Sequence, residues 1–314
     1  FVSPPLYVLI KKNPQENLFP WVSLSENSRL KNVSADVNCF AHLPGDTMYY
    51  IGSANGKGFV SWNAKTKAIE SYYKTGTGKN LTSVNELVFD REKRLWVCSY
   101  EGIYLFDTRK KKFIPCPLSA VHDFNTQQTF NCILQSGDGS YWLASNGNGI
   151  YHYVPGNASV ERYYMAADNE ENKLPSNSIF TLFNDKQGNI WFGMNNGKSI
   201  GCITKAHKII CYNAANGFPA GDCWSICQTK EGKIFYTLSE TGLCVLENPG
   251  TGTPKITVHN STKGFSVDLI FTLFRDKDDY VWMSTTNGLL KCETSSMNCT
   301  QYFTYDGLEA KGTG

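Results

Sequence analysis

Along this chain an apolar run, a polar turn, a short strand with a central aromatic and a glycine turn follow one another again and again. The phrase reads VNELVFDREKRLWVCSYEG at 84–102, FNCILQSGDGSYWLASNGNG at 130–149 and SIFTLFNDKQGNIWFGMNNG at 178–197. It returns as WSICQTKEGKIFYTLSETG at 224–242 and LIFTLFRDKDDYVWMSTTNG at 269–288, with a weaker copy, VNCFAHLPGDTMYYIGSANG, at 37–56. Tyr50, Trp96, Trp142, Trp191, Phe235 and Trp282 hold the aromatic position at intervals of 44–49 residues. A repeat of that length predicts a radial array of small sheets.

The unit at 174–213 shows what one repeat must be. Ser178–Phe183 is too short for a globular helix and rich in β-formers, so it reads as a first strand. Asn184–Asn189 is turn chemistry, with Asp185 able to bond its own backbone and Gly188 free to take positive φ. Ile190–Gly193 is a second strand carrying the Trp, and Asn195–Gly197 turns the chain again. Ile200–Thr204 and Lys208–Asn213 supply a third and a fourth strand on either side of His207. Four antiparallel strands joined by short turns make one propeller blade.

The near-continuous apolarity of SIFTLF and of LIFTLF at 269–274 predicts strands covered on both faces. The more polar Ser159–Tyr164 and Lys255–His259 predict outermost strands. The recurring aromatic reads as a wedge between neighbouring blades, because packing demands the same residue type at the same place in every unit. The predicted fold is therefore an all-β propeller of seven four-stranded antiparallel blades in a single domain, 1–314. Six complete blades fall at about 33–77, 78–124, 125–172, 173–216, 217–263 and 264–304, and partial segments at 1–32 and 305–314 supply a seventh. Closure would remove the exposed sheet edges.

Composition narrows the function. A hydrophobic content of 41% with 13% aromatics supports a large core, and a formal charge of +2 gives no electrostatic case for nucleic acid or an anionic membrane. The basic run Arg109–Lys112 falls between two predicted strands and reads as a solvated hairpin turn. No stretch approaches the length of a membrane span, and Phe1–Pro5 has no signal-peptide character. The chain starts within a repeat and stops as another begins, which predicts that both ends are cut from something longer. The eleven cysteines show no CxxC or Cys/His metal spacing, so neither a metal nor a cofactor is expected. Cys39, Cys132, Cys223 and Cys227 sit in apolar strand segments as small hydrophobes. Cys202/Cys211 and Cys292/Cys299 flank the same turn in different repeats and are the candidate disulfides.

The stretch Leu174–Phe180 followed by Asp185-Lys186-Gln187-Gly188-Asn189-Ile190-Trp191-Phe192-Gly193 closely resembles the regulator-propeller repeat of periplasmic sensor regions in hybrid two-component systems of Bacteroides-type bacteria. Asp276-Lys277-Asp278 with Trp282 and Asn287-Gly288-Leu289, and Asp138-Gly139 with Trp142, follow the same pattern, as does Tyr305-Asp306-Gly307-Leu308. Tyr50 and Phe235 replace Trp in the looser copies. The resemblance implies a propeller outside the inner membrane, followed in such proteins by further propeller and β-sandwich domains, a transmembrane helix, a histidine kinase, and receiver and DNA-binding parts. It implies sensing of glycan breakdown products by a fragment with no catalysis and no nucleic-acid contact of its own. The partners implied are an oligosaccharide, the other domains of the same chain and a second copy, since kinase signalling usually works in dimers.

In a meander, the loops leading into first strands and the turns joining second to third strands open on one face. The first set is long, at 119–128, 166–177, 213–222 and 260–268; the second offers Tyr100, Glu101, Asn146, Asn196 and Glu240. Asn38, Asn85 and Asn131 stand at the start of first strands, where a propeller's axial channel lies, and Asp222 and Asp268 fall near the same place in later repeats. These ten residues are the candidate ligand contacts, since amides, carboxylates and aromatics suit sugar hydroxyls. Asp90, Asp185 and Asp276, six residues before the aromatic, read as turn formers.

Two other readings stay open. Streptogramin-type lyases are propellers of similar length, and Ile200–Thr204 is a little like their third strand, but His42, His122, His152, His207 and His259 occupy different places in their repeats. A protein-interaction scaffold of the WD40 or kelch kind lacks its Trp-Asp or double-glycine signatures here. Glycosylation patterns at Asn32, Asn80, Asn157, Asn260 and Asn298 read as chance in so Asn-rich a chain.

Overall fold

The computed structural model describes residues 37–302 apart from 55, 57, 123, 167–172, 251–252, 264 and 266–268. Among the described residues there are six sheets, each a four-stranded antiparallel meander in chain order. Among the described residues the fold is thus an all-β propeller with six four-stranded blades, numbered 1–6 here. The segments expected to form a seventh, 1–32 and 305–314, lie outside the described residues.

Blade 4 shows how closely the residues dictate the strands. It runs Ile179–Asn184, Ile190–Met194, Ile200–Ile203 and Ile209–Tyr212, within a residue or so of the expected limits. The turn between its first two strands is built by Asp185, whose Oδ1 accepts the amides of Gln187 and Asn189 at 2.9 and 2.8 Å. The outer strand Lys255–His259 of blade 5 also lies where its polar pattern put it. In the basic run, Asp107 Oδ1 accepts the amides of Arg109 and Lys110, a hairpin turn as expected.

One expectation needs correcting. The first strands are not the covered ones: Ile179–Asn184 is largely half-buried, Ile270–Arg275 mixes buried, half-buried and exposed positions, and Phe274 is 61% exposed. The second strands Leu95–Ser99, Tyr141–Ser145, Ile190–Met194 and Ile234–Leu238 are buried at every position. A second strand has a partner on both edges and a neighbouring blade over its face, whereas a first strand has its sheet on one edge only. The aromatic wedge lies on the covered strand: Trp96, Trp191 and Phe235 are fully buried. Trp282 is half-buried against Leu289 and Tyr302.

The described residues cluster into two compact units, the first holding blades 1–3 up to Arg162 apart from Gly147–Gly149, and the second holding those three residues and, from Tyr163, blades 4–6. In the first unit Tyr50, Phe59, Leu87 and Phe106 fill the space between blades 1 and 2, and Trp96, Phe130, Ile133 and Leu143 that between blades 2 and 3. In the second, Trp191, Tyr212, Ile226 and Tyr236 join blades 4 and 5, and Phe235, Leu273 and Met283 join blades 5 and 6. Close approach is enforced at Gly193, where a Cβ would lie 2.6 Å from the carbonyl oxygen of Cys223 on the next blade.

A feature shared by all six blades was not visible in the sequence. Pairing between first and second strands skips a residue near the start of the first strand, a β-bulge. The skipped residue is Asn38, Asn85 or Asn131 in blades 1–3 and Phe180 or Phe271 in blades 4 and 6; in blade 5 the break covers Trp224 and Ser225.

Of the two candidate disulfides, Cys292 and Cys299 are bonded, with Cα atoms 4.1 Å apart. They stand directly opposite each other across a strand pair. Cys202 and Cys211 face Ile210 and Gly201, one position out of register, and are free thiols.

Candidate functional site

The face predicted from topology has a repeating backbone signature. The amides of Tyr100, Asn146 and Asn195 donate to the carbonyls of Ser83, Thr129 and Ser178 at 3.1 Å, and Ser239 donates to Asp222 at 3.0 Å. In four blades, therefore, the turn after the second strand is tied to the loop leading into the first. These turns form a fixed rim on each unit, on which exposed side chains are displayed.

The predicted residues occupy this rim in different ways. In the first unit Tyr100 is 55% exposed and Asn146 is exposed. The Glu101 carboxylate accepts the amide of Thr82 at 3.1 Å and also its hydroxyl, so it fastens the loop into blade 2. In the second unit Asp222 Oδ1 accepts the amide of Gly197 at 2.8 Å, and its own amide donates to Ser239 Oγ at 2.9 Å. Asn196 and Glu240 are exposed and left-handed, with φ of 60° and 61°, the geometry of tight turns. Asp268 lies outside the described residues.

The bulge asparagines do specific work within the first unit. Asn38 Nδ2 donates to the carbonyl of Val84 at 3.1 Å, and Asn85 Nδ2 donates to that of Phe130 at 2.9 Å. Each reaches from one first strand to the start of the next, and Asn85 also lies 3.4 Å from Asn131 Oδ1. The following position can add a second link. Glu86 Oε2 accepts the amide of Ile133 at 2.7 Å, and in the second unit Ser225 Oγ accepts that of Leu273 at 2.9 Å. Burial pushes the Glu86 carboxyl up to about 7, against the opposing effect of the Ile133 amide.

Two groups of residues escaped sequence reasoning. The first is the acceptor role of the turn aspartates. Asp90, Asp185 and Asp276 each take the indole N–H of the Trp six residues on, Trp96, Trp191 and Trp282, at 2.8, 2.9 and 2.9 Å. A hairpin of that length folds the carboxylate back over the second strand, so the spacing itself was the available signal. Where Phe235 replaces Trp, Thr229 replaces Asp. The second is the aromatic series Phe180, Trp224 and Phe271, hidden inside apolar runs. All three are half-buried, and the rings of Trp224 and Phe271 stack at 5.8 Å with planes 12° apart.

A cleft of about 490 Å3 opens between blades 4 and 5 at the other ends of the strands. Gln187, Asn189, Glu231, Lys233 and Glu247 line it above a floor of Trp191 and Tyr212, and none of the nine predicted residues that are described lines it. Lys233 is bound to Glu247 at 2.9 Å, and this pairing raises its pKa. The floor rings are almost fully covered, so the cleft offers a ligand mainly a polar rim, in which the carboxylates Glu231 and Glu247 outnumber Lys233. Two histidines stack on aromatic rings, His42 on Tyr49 and His152 on Trp142, and histidine nitrogens also make polar contacts: His152 Nδ1 lies 3.4 Å from Glu161 Oε2, and His207 Nδ1 lies 2.8 Å from the Tyr163 hydroxyl.

Comparison with known proteins gives the following. Residues 173–196, the first-strand, turn and Trp segment of blade 4, match the family described as two component regulator propeller. The chain is similar to histidine kinase P4 of Formosa agariphila, 22% identical over 273 residues, covering 84% of this chain and 18% of that protein. The chain thus spans under a fifth of the length of that relative. Among solved structures it is similar to the extracellular domain of a hybrid two component system from B. thetaiotaomicron, with a TM-score of 0.61, 19% identity, and coverage of 81% of this chain and 32% of that one. It is likewise similar to a streptogramin B lyase, with a TM-score of 0.64, 14% identity, and coverage of 88% and 84%. The likenesses to solved structures concern the fold. Among the described residues no helix is long and apolar enough to cross a membrane.

Proposed function

We propose that this chain is the sensor propeller of a hybrid two-component histidine kinase, placed outside the inner membrane, and that it responds to glycan breakdown products without catalysing a reaction. The observation that carries the reading is the regulator-propeller repeat at 173–196, in a propeller similar to both a histidine kinase and the extracellular domain of a hybrid two-component system. Sensing needs a rigid frame with a variable rim, and the hydrogen-bonded rim of each unit is such a frame. The Cys292–Cys299 bridge supports the compartment, since such bonds persist in oxidising surroundings and are rare in the cytosol.

On this reading the ligand is an oligosaccharide, taken by rim residues among Tyr100, Glu101, Asn146, Asn196, Asp222 and Glu240 and by first-strand residues among Asn38, Asn85, Asn131 and Asp268. The whole propeller includes a seventh blade from 1–32 and 305–314. Its partners are further domains of the same chain, with a second propeller, a β-sandwich and a kinase, and a second copy of the protein.

Thermal melting of the chain against a panel of plant and host oligosaccharides tests the ligand class. A raised midpoint with at least one of them is expected, and no shift with any leaves a scaffold role in its place. Protease accessibility of the full-length protein in intact spheroplasts tests the compartment, with cleavage of the propeller from outside expected.

A further inference from the structure

We propose that blades 4–6 carry an aromatic platform, centred on Trp224 and Phe271 and extended by Phe180, which takes the apolar ring face of a neutral oligosaccharide. The inference rests on the glycan-sensing reading above and names the site within it.

The fold does not call for aromatics at this position. Blades 1–3 build the same bulge with Asn38, Asn85 and Asn131, and Asn38 and Asn85 turn their side chains into bonds with the next first strand. Three consecutive aromatics at the equivalent place in the second unit therefore serve something other than the bulge. Core packing does not account for them either. The wedge aromatics Trp96, Trp191 and Phe235 are fully buried, whereas Phe180, Trp224 and Phe271 keep part of their surface in solvent.

The indole nitrogens separate the two kinds of Trp more sharply. Trp96, Trp191 and Trp282 each give their N–H to an aspartate. The N–H of Trp224 has no partner among the described residues. A half-buried indole with a free donor, stacked at 5.8 Å on a nearly parallel phenyl ring, offers a flat apolar surface with one hydrogen bond at its edge. That combination suits a pyranose ring, whose C–H faces are drawn to the negative face of the π-system while a hydroxyl accepts from the indole N–H. The residues that follow the three aromatics are Thr181, Ser225 and Thr272. They bring hydroxyls and no charge, which favours a neutral sugar over a uronate.

Calorimetric titration of the chain with cellotetraose, xylotetraose and tetragalacturonate tests this. A neutral tetrasaccharide is expected to bind, with affinity falling by about tenfold in Trp224→Asn and in Phe271→Asn. Asn is the residue that blades 1–3 already accommodate at this position. Trp224→Phe, which keeps a ring and loses the N–H, should fall in between, and it decides the matter if Trp224→Asn lowers the melting temperature. Unchanged binding of the neutral sugars in Trp224→Asn and Trp224→Phe overturns the platform and leaves the glycan-sensing reading standing. Tighter binding of tetragalacturonate, insensitive to Trp224, does the same. Failure of all three sugars to bind the unaltered chain overturns the platform together with the reading on which it rests.

Discussion

At the bulge of the first strand, blades 1–3 carry Asn38, Asn85 and Asn131, whereas blades 4–6 carry Phe180, Trp224 and Phe271. Asn38 and Asn85 spend their donors on the next blade's backbone, so in the first unit this position serves cohesion. The aromatics leave the neighbouring carbonyls alone, Trp224 and Phe271 stack on one another, and in blade 5 the cross-link passes to Ser225. One backbone device thus supports two chemistries, because a bulge fixes where a side chain leaves the strand and not what it must be. Repetition in a propeller constrains covered positions such as the second strand. It leaves the first strand free to differ from one half to the other.

The comparison can be broken most severely at the glycines that let neighbouring blades approach. A Cβ at Gly193 would meet the Cys223 carbonyl at 2.6 Å, while at the equivalent Gly52 it would meet the side chains of Cys39 and Val84 at 2.5 and 2.9 Å. Backbone yields less than side chains. Gly193→Val should therefore cost about 3 kcal/mol in urea unfolding, and Gly52→Val distinctly less. Equal losses would mean that the two units pack alike there.

A second difference is pH dependence, because the cross-link is Glu86 in the first unit and Ser225 in the second. The folded Glu86 carboxyl is raised from its ordinary 4.5 to about 7. Below the lower value both folded and unfolded chains hold the proton, and between the two only the folded chain does. This contribution to stability is thus complete in acid, falls as pH rises through that window and is gone above it. Glu86→Gln should abolish the decline and be more stable than the unaltered chain at pH 8, by about 2 kcal/mol. Matching urea curves for the two proteins at pH 5 and pH 8 alike would refute it. The smallest effect belongs to Asn85→Ala, which leaves the Phe130 carbonyl without its donor. A loss of about 1 kcal/mol is expected in the same assay.

Much of the fold was legible because its cause is local and repeated. The aromatic spacing located the second strands, and turn chemistry at Asp185 and Gly188 located the hairpin of blade 4. The coverage of the first strands was misjudged, since SIFTLF and LIFTLF carry more apolar residues than burial uses. Phe274 is the clearest case. The same excess concealed Phe180, Trp224 and Phe271, which look like packing until the bulges are set side by side. Asn38 and Asn85 were singled out as polar groups on first strands, but their partners lie a whole repeat away, at Val84 and Phe130. No window of sequence holds both ends of such a bond. The indole bonds of Asp90, Asp185 and Asp276 stayed hidden for a related reason: turn propensity explains these residues fully without them.

The eleven cysteines bear on how such a chain could mature in an oxidising compartment. Scrambling of the Cys292–Cys299 bond requires a thiolate to attack it. Burial pushes Cys116 and Cys211 up to about 11 and Cys227 to about 12, and Cys39, Cys98, Cys202 and Cys223 well upward. A thiol near 11 is ionised in roughly one molecule in ten thousand at neutral pH. Once the blades close, seven of the nine free thiols are thus disarmed as nucleophiles. Correct pairing is then guarded by the core itself, and the interval of risk for disulfide exchange is confined to the time before the second strands are covered.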